Sequence, residues 1–348
     1  MMLYEILVVL VIVRGSHSVC MDEIKANYSH YETLSRISLR GCDLKEMPPE
    51  LTLPEYNLPN MEELDLRDNN IRSITDGFFR RFASLKRINL SNNPGLILTE
   101  ETFSGMEYKL TQLSLQKLGI TSIGSIISKL SDLNYITVID LSYNKITSLG
   151  PEDDTQIDGY STINLAIDLT GNQISDISND FIRRLTNENF AQVTLFLAGN
   201  KLKNLNFLNP PCDFRNLEIR LDAEITPYDP NPFFCDCNLY NITRFNAIKI
   251  DGGYCQGPEA YTGLQLGFWT PRDDLAYPEG GAHYFMKEAR SQCDDITKEV
   301  SRYNCDCGTW VSYTADEEYS LKCSMGAINL PCWMYMLLGA LAASVAFI

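Results

Sequence analysis

A repeated spacing constrains this chain more than any other feature. Apolar residues recur in the order apolar-x-x-apolar-x-apolar-x-x-Asn-x-apolar through its first two-thirds. Two full copies are Met61, Leu64, Leu66, Asn69, Ile71 and Ile136, Ile139, Leu141, Asn144, Ile146. The others are Leu34, Ile37, Leu39, Cys42, Leu44; Leu85, Ile88, Leu90, Asn93; Leu110, Leu113, Leu115, Leu118, Ile120; Ile167, Leu169, Asn172, Ile174; and Leu195, Leu197, Asn200, Leu202. The Asn position falls at 42, 69, 93, 118, 144, 172 and 200, in steps of 27, 24, 25, 26, 28 and 28. A degenerate copy runs through Leu217, Ile219 and Leu221. A unit this short cannot bury its own apolar side, so the copies must stack into one continuous core.

A step of 24 to 28 residues is the length class of leucine-rich repeats. The fold class is therefore α/β: a leucine-rich-repeat solenoid with a curved parallel sheet on its concave side, short helices or turns outside, and disulfide-stapled caps. In each copy a short strand points its Leu or Ile inward at period two and its intervening residues outward. The chain then turns, and a buried Asn amide satisfies the backbone groups that the turn leaves unpaired. Asn69, Asn144, Asn172 and Asn200 are read as structural on this ground, whereas Cys42 and Leu118 leave their turns supported some other way. On the outer side Phe78 and Phe181 should plug the core, beside solvated pairs Arg80-Arg81 and Arg183-Arg184.

The two ends point to the cell surface. An apolar run from Ile6 to Val13 is too short to span a bilayer and leads to Ser16-His17-Ser18, the pattern of a signal peptide cleaved after Ser18, although its n-region carries Glu5. A second apolar run, Leu330 to Ile348, is uncharged. It reads as a GPI-attachment signal with Ser324 as acceptor, or as a membrane helix at the tail. Eleven cysteines in such a chain imply an oxidising compartment and disulfides. Asn27, Asn89 and Asn241 head N-glycosylation sequons.

Cys20 and Cys42 flank the segment that must cover the first repeat, and we expect them to pair. Farther on stands Asn231-Pro232-Phe233-Phe234-Cys235-Asp236-Cys237, followed by Cys255-Gln256-Gly257-Pro258 and Cys293. This stretch resembles the C-terminal cysteine-rich flanking domain of extracellular leucine-rich-repeat receptors and matrix proteins. With the repeats, the resemblance covers about residues 20 to 293. It implies bonds from Cys235 to Cys255 and from Cys237 to Cys293, although Gly267 to Gln292 is longer than the family usually has. Cys212, Cys305, Cys307 and Cys323 make two further bonds of open connectivity. The expected organisation is a signal peptide at 1–18, an N-terminal cap and first repeat at 19–44, and repeats at 45–230. A flanking domain at 231–293, an extra cysteine-rich segment at 294–324, and a GPI signal or membrane helix at 325–348 complete it.

Composition excludes several functions. A net charge of −16 argues against nucleic acid, which needs clustered Lys and Arg. No nucleophile elbow, P-loop or zinc-protease motif is present, so we expect neither an enzyme nor a cofactor. Structural zinc would need further Cys or His beside the Cys-x-Cys pairs, the mature chain keeps only His30 and His283, and secretion favours disulfides, so no metal is expected.

What remains is a binding protein that recognises an extracellular protein or glycan ligand on its concave sheet, tethered to the membrane and acting by adhesion or with a membrane co-receptor. The alternative is a matrix-organising adhesive protein acting by self-association. The outward positions include Arg36, Ser38, Arg40; Glu63, Asp65, Arg67; Arg87, Asn89, Ser91; Val138, Asp140, Ser142; Ala166, Asp168, Thr170; and Thr194, Phe196, Ala198. In sum they are near neutral. A sugar on Asn89 would screen the arginine-bearing coils and move the ligand towards Asp140, Asp168, Thr170 and Phe196; a bare Asn89 would leave the N-terminal coils free.

Overall fold

The computed structural model describes residues 35–48, 51, 58–127, 130, 133–150, 164–186, 190–208, 214, 216–221, 231–236, 239, 249–264 and 266. It also describes the backbone of 9–11, 299–304, 309–314, 322–325 and 328–331. The chain forms two compact units, Met1–Lys203 with Asn216–Asn231 and Asn204–Arg215 with Pro232–Ile348.

The first unit is a leucine-rich-repeat solenoid. Its strands are β1 (Val9–Val11), β2 (Arg36–Ser38), β3 (Glu63–Asp65), β4 (Arg87–Asn89), β5 (Gln112–Ser114), β6 (Val138–Asp140), β7 (Ser148–Leu149), β8 (Asn164–Asp168), β9 (Asp176–Ile177), β10 (Gln192–Phe196) and β11 (Leu217–Arg220). All but β7 and β9 lie side by side in chain order in one parallel sheet. The register puts Ile37, Leu64, Ile88, Leu113, Ile139, Ile167, Leu195 and Ile219 in one row. None of these eight is more than 2% exposed. A second buried row follows two residues on, from Leu39 to Leu221. Packing between coils thus comes from position in the repeat, as nearest-neighbour stacking requires. β1, from the run read as a signal peptide, pairs in parallel with β2, Leu10 opposite Ile37.

Strands β3, β4, β5, β6, β8 and β10 each end in a left-handed turn. Asp68, Asn92, Lys117 and Tyr143 hold φ between 53° and 60°, and Gly171 and Gly199 take the same place in later coils at 68° and 62°. The next residue is the ladder asparagine, except after Lys117, where it is Leu118. Asn69 donates from Nδ2 to Leu39 O and Leu66 O at 2.9 and 2.8 Å and accepts from Leu44 N at 3.0 Å, tying two coils together. Asn93, Asn172 and Asn200 repeat this pattern. Leu118 cannot, and Asn144 Oδ1 compensates by accepting from both Leu118 N and Ile120 N. Asn231 is a further rung, accepting from Leu202 N at 3.0 Å and donating to Leu197 O at 2.8 Å. The sequence reading assigned Asn231 to the cysteine-rich motif alone.

On the opposite side of the coil, α1 (Gly124–Ile127) and α2 (Asn179–Thr186) are short helices, and Phe78–Arg81 is a 3-10 turn. Ser178 Oγ accepts from Asp180 N at 3.2 Å, and α2 buries Phe181, Ile182 and Leu185 on one face. Phe78 and Phe181 fill the core as the pattern implied, with Phe79 and Phe82 fully buried beside Phe78. Arg80, Arg183 and Arg184 are exposed.

The second unit contains β12 (Phe233–Phe234), β13 (Lys249–Asp251) and β14 (Cys255–Gly257), with β12 parallel to β14. Cys235 and Cys255, both fully buried, are joined by a disulfide with Cα atoms 5.6 Å apart. Two antiparallel hairpins follow, β15 (Glu299–Asn304) with β16 (Thr309–Thr314) and β17 (Lys322–Met325) with β18 (Ile328–Pro331). Ser324 and Cys323 lie on β17. Cys42 is disulfide-bonded and fully buried. Its expected partner Cys20 lies outside the described residues, as do Cys237, Cys293, Cys212, Cys305, Cys307, Asn27 and Asn241. Among the described residues no helix is long and apolar enough to cross a membrane.

Candidate ligand-binding face

Alternation at period two leaves one sheet face open, and the register converts it into two rows that cross the strands. The first runs Arg36, Glu63, Arg87, Gln112, Val138, Ala166, Thr194, Glu218. The second runs Ser38, Asp65, Asn89, Ser114, Asp140, Asp168, Phe196, Arg220.

A third outward row was expected at the residues two places farther on; Arg40 and Arg67 do present surface there, with side chains 47% and 36% exposed, but elsewhere the structure corrects the sequence reading. Ser91, Ser142, Thr170 and Ala198 are at most 8% exposed. The strands stop before these positions, so the chain is already folding under itself there and alternation no longer sets their direction. Thr170, expected among the ligand contacts, presents almost no side-chain surface; its N–H instead donates to Asp168 Oδ1 at 2.9 Å. Ser38 and Asp65 also have little exposure, 8% and 2%, with Asp65 lying under the Arg67 guanidinium.

The charges on this face are segregated. Glu63 sits between two arginines, 2.9 Å from Arg36 and 3.2 Å from Arg87. Arg67 pairs with Asp65 at 3.0 Å and Arg40 with Asp68 at 2.6 Å. Asp68 is thereby held below the usual carboxylate range, by the Asn92 amide first and the Arg40 guanidinium as well. At the other end, Arg220 pairs with Glu218 at 2.9 Å and covers the Phe196 ring at 5.3 Å from its centroid. The degenerate eighth copy hid Arg220 and Glu218 from the sequence reading, yet both help to frame this face.

Asp140 and Asp168 lie opposite one another on β6 and β8 with no cation paired to either among the described residues. Asp140 accepts from the Gln116 side-chain amide and, at 2.7 Å, from Ser142 Oγ. Burial pushes the Asp168 carboxyl above its ordinary value and the neighbouring Asp140 charge adds to the rise, against lowering by hydrogen bonds from Thr170. Phe196 follows Asp168 in the row, half-buried. Asp140, Asp168 and Phe196 are therefore contiguous, floored by the uncharged Val138, Ala166 and Thr194. No cluster of three or more metal-ligating side chains occurs among the described residues.

Residues 59–117 match the leucine rich repeat family model. The chain is 26% identical over 201 residues to adenylate cyclase of Schizosaccharomyces pombe, covering 53% of this chain and 11% of that protein. It is 25% identical over 228 residues to leucine-rich repeat transmembrane protein FLRT2 of Rattus norvegicus, covering 60% and 33%. The chain thus spans well under two-thirds of either relative. The crystal structure of human trophoblast glycoprotein (Wnt-activated inhibitory factor 1) superposes with a TM-score of 0.51 at 20% identity, over 66% of this chain and 84% of that one. Fold and repeats together define the class, a leucine-rich-repeat solenoid, and one of the proteins it resembles is by name a transmembrane protein.

Proposed function

We propose that this chain is an extracellular, membrane-tethered binding protein, not an enzyme, and that it takes a protein or glycan ligand on the C-terminal half of its open sheet face. Asp140, Asp168 and Phe196 are the contacts, and Thr170 positions Asp168. One observation carries the reading: in a face whose other charges are internally paired, two adjacent carboxylates are left without a counter-ion. Neighbouring like charges partly withdrawn from water are costly even when hydrogen-bonded, and a ligand cation offsets that cost. Signal-peptide removal after Ser18, a GPI anchor at Ser324 and action through a membrane co-receptor belong to the same proposal.

The test uses residues 19–323 as a soluble ectodomain on cells that bind it. Phe196→Glu and the pair Asp140→Asn with Asp168→Asn should each weaken binding at least tenfold, with melting temperatures no lower than the parent's, while Arg87→Gln leaves binding intact. Parental affinity in both C-terminal variants would refute the assignment. A dimeric mass for the ectodomain would move the reading to self-association. For the anchor, phosphatidylinositol-specific phospholipase C should release the full chain from cells. Retention with residues 330–348 still attached by mass spectrometry would point to a membrane helix instead.

A further inference from the structure

We infer that Asn89 is glycosylated before β5 docks onto β4, and that the finished sheet reserves the Asn89 amide nitrogen for the sugar. The inference rests on the extracellular reading above.

The side-chain amide of Asn89 is divided between its two ends. Its Oδ1 accepts from Ser91 N at 3.0 Å, closing the start of the turn. Asp65, Asp140 and Asp168 hold the equivalent places in other coils and make the same bond, to Arg67 N at 3.2 Å, Ser142 N at 3.0 Å and Thr170 N at 2.9 Å. The fold therefore asks for one oxygen here and has no use for a nitrogen. Among the described residues nothing accepts a hydrogen bond from Asn89 Nδ2. The ladder asparagines differ: Asn93, four residues on, donates Nδ2 to Leu66 O at 3.0 Å and Leu90 O at 2.8 Å.

N-glycosylation consumes the nitrogen and spares the oxygen. The transferase supplies a polyprenyl-diphosphate oligosaccharide. Nδ2 forms a bond to the sugar C1 as the C1–O bond to the diphosphate breaks; the lipid diphosphate leaves with the electron pair, and one Nδ2 proton passes to a base. The product remains an amide whose Oδ1 still accepts from Ser91 N. Asn89 is half-buried between Asp65 and Ser114 in register, and the short Ser114 side chain leaves room for the root of the glycan.

The folded sheet, however, conceals the sequon from an enzyme. Ser91 is 6% exposed and its Oγ accepts from Gln116 N at 3.2 Å. Leu90 is fully buried, with its N–H donated to Ser114 O at 2.9 Å. Gln116 and Ser114 belong to the next coil, so Asn89-Leu90-Ser91 is available only until that coil docks. The roughly 25 residues between the sequon and its cover take about 1–5 s to synthesise. The arrangement places a sugar over the arginine-bearing coils and leaves the Asp140–Phe196 region as the open part of the face.

The experiment maps glycopeptides of the full chain purified from the cells that make it, then offers chain made with Asn89 bare to an oligosaccharyltransferase and a lipid-linked oligosaccharide, folded and after denaturation. Asn89 should carry a glycan in the parent, lost completely in Ser91→Ala. In the second arm, the denatured chain should accept sugar at Asn89 at least tenfold faster than the folded one. Sugar on Asn241 or Asn27 with Asn89 bare would overturn the inference alone. Equal rates for folded and denatured chain would overturn the timing. Absence of sugar from all three sequons would overturn the extracellular reading and this inference with it.

Discussion

Asn144→Ala is expected to be the most damaging single change among the ladder asparagines. Asn144 is 4% exposed and serves two coils. Its Nδ2 donates to Leu115 O and Leu141 O, both at 2.9 Å, and its Oδ1 accepts from Leu118 N at 3.0 Å and Ile120 N at 3.2 Å. Leu141 O keeps a second donor, Asn172 Nδ2, at 3.0 Å. Leu115 O, Leu118 N and Ile120 N lose theirs. A buried polar group left without a partner costs about 1–3 kcal/mol, so the substitution should cost roughly 3–9 kcal/mol for the three groups, or roughly 2–6 kcal/mol if water reaches half-buried Ile120. Asn172→Ala leaves only Ile146 N without a partner, because Leu141 O keeps Asn144 Nδ2 at 2.9 Å and Leu169 O keeps Asn200 Nδ2 at 3.0 Å, and it should cost roughly 1–3 kcal/mol.

The order matters more than either value. It follows from Leu118, which cannot bridge its own coils and so makes Asn144 carry an additional donor. Denaturant unfolding of the soluble chain measures the totals. Because solenoids unfold by neighbouring coils and need not be two-state, amide exchange at Leu118 and Ile120 should accompany it. Both amides should lose protection in Asn144→Ala and keep it in Asn172→Ala. A cost within about 1 kcal/mol of the parent, or a larger cost for Asn172→Ala, would refute the reasoning.

Gly171→Ala should cost about 1–3 kcal/mol in denaturant midpoint experiments, since φ is 68° and a Cβ would stand 2.7 Å from Tyr143 Cδ1. Adding Tyr143→Ala should recover the contact part of that loss and leave the backbone part. Asp168 has its folded value raised, so the native state binds the proton more tightly than the unfolded chain, and this group's effect on stability worsens as pH rises from the ordinary value through the raised one. Asp168→Asn should accordingly raise the melting temperature at pH 7, and the difference from the parent should vanish below about pH 4, the ordinary carboxylate range; an equal gain at both pH values would contradict it. Cys235→Ser should destabilise the second unit by roughly 2–5 kcal/mol, read as earlier loss of amide protection around Cys255.

The repeat was legible because each coil spells the same demand, with inward Leu or Ile at period two and then one asparagine. Where the demand was met in a different spelling, the sequence misled. Asn231 lies 31 positions beyond Asn200, outside the 24 to 28 step, and inside Asn231-Pro232-Phe233-Phe234-Cys235 it reads as part of a cysteine motif. Its role became visible only through its bonds to Leu197 and Leu202. Thr170 was misjudged for the opposite reason. The alternation was extended one step past the end of the strand, where the left-handed turn at Gly171 had already changed the direction of the chain.

The charge pattern shows why a near-neutral sum concealed the candidate site. Ion pairs act over about 4 Å, and neighbouring strands stand about 4.8 Å apart, so a charge can be answered within its own strand or the next one. Arg36, Arg67 and Arg87 each find a carboxylate within that reach. Arg87 on β4 is two strands from Asp140 on β6, a separation of roughly 10 Å that is comparable to the screening length in physiological salt. From the other side Arg220 is held by Glu218 on its own strand, two strands from Asp168. The arginines thus balance the acidic total without reaching Asp140 or Asp168. A ligand arriving at Asp140 and Asp168 meets their negative charge undiminished, and its association rate should fall with added salt while the paired N-terminal coils contribute little to that slope.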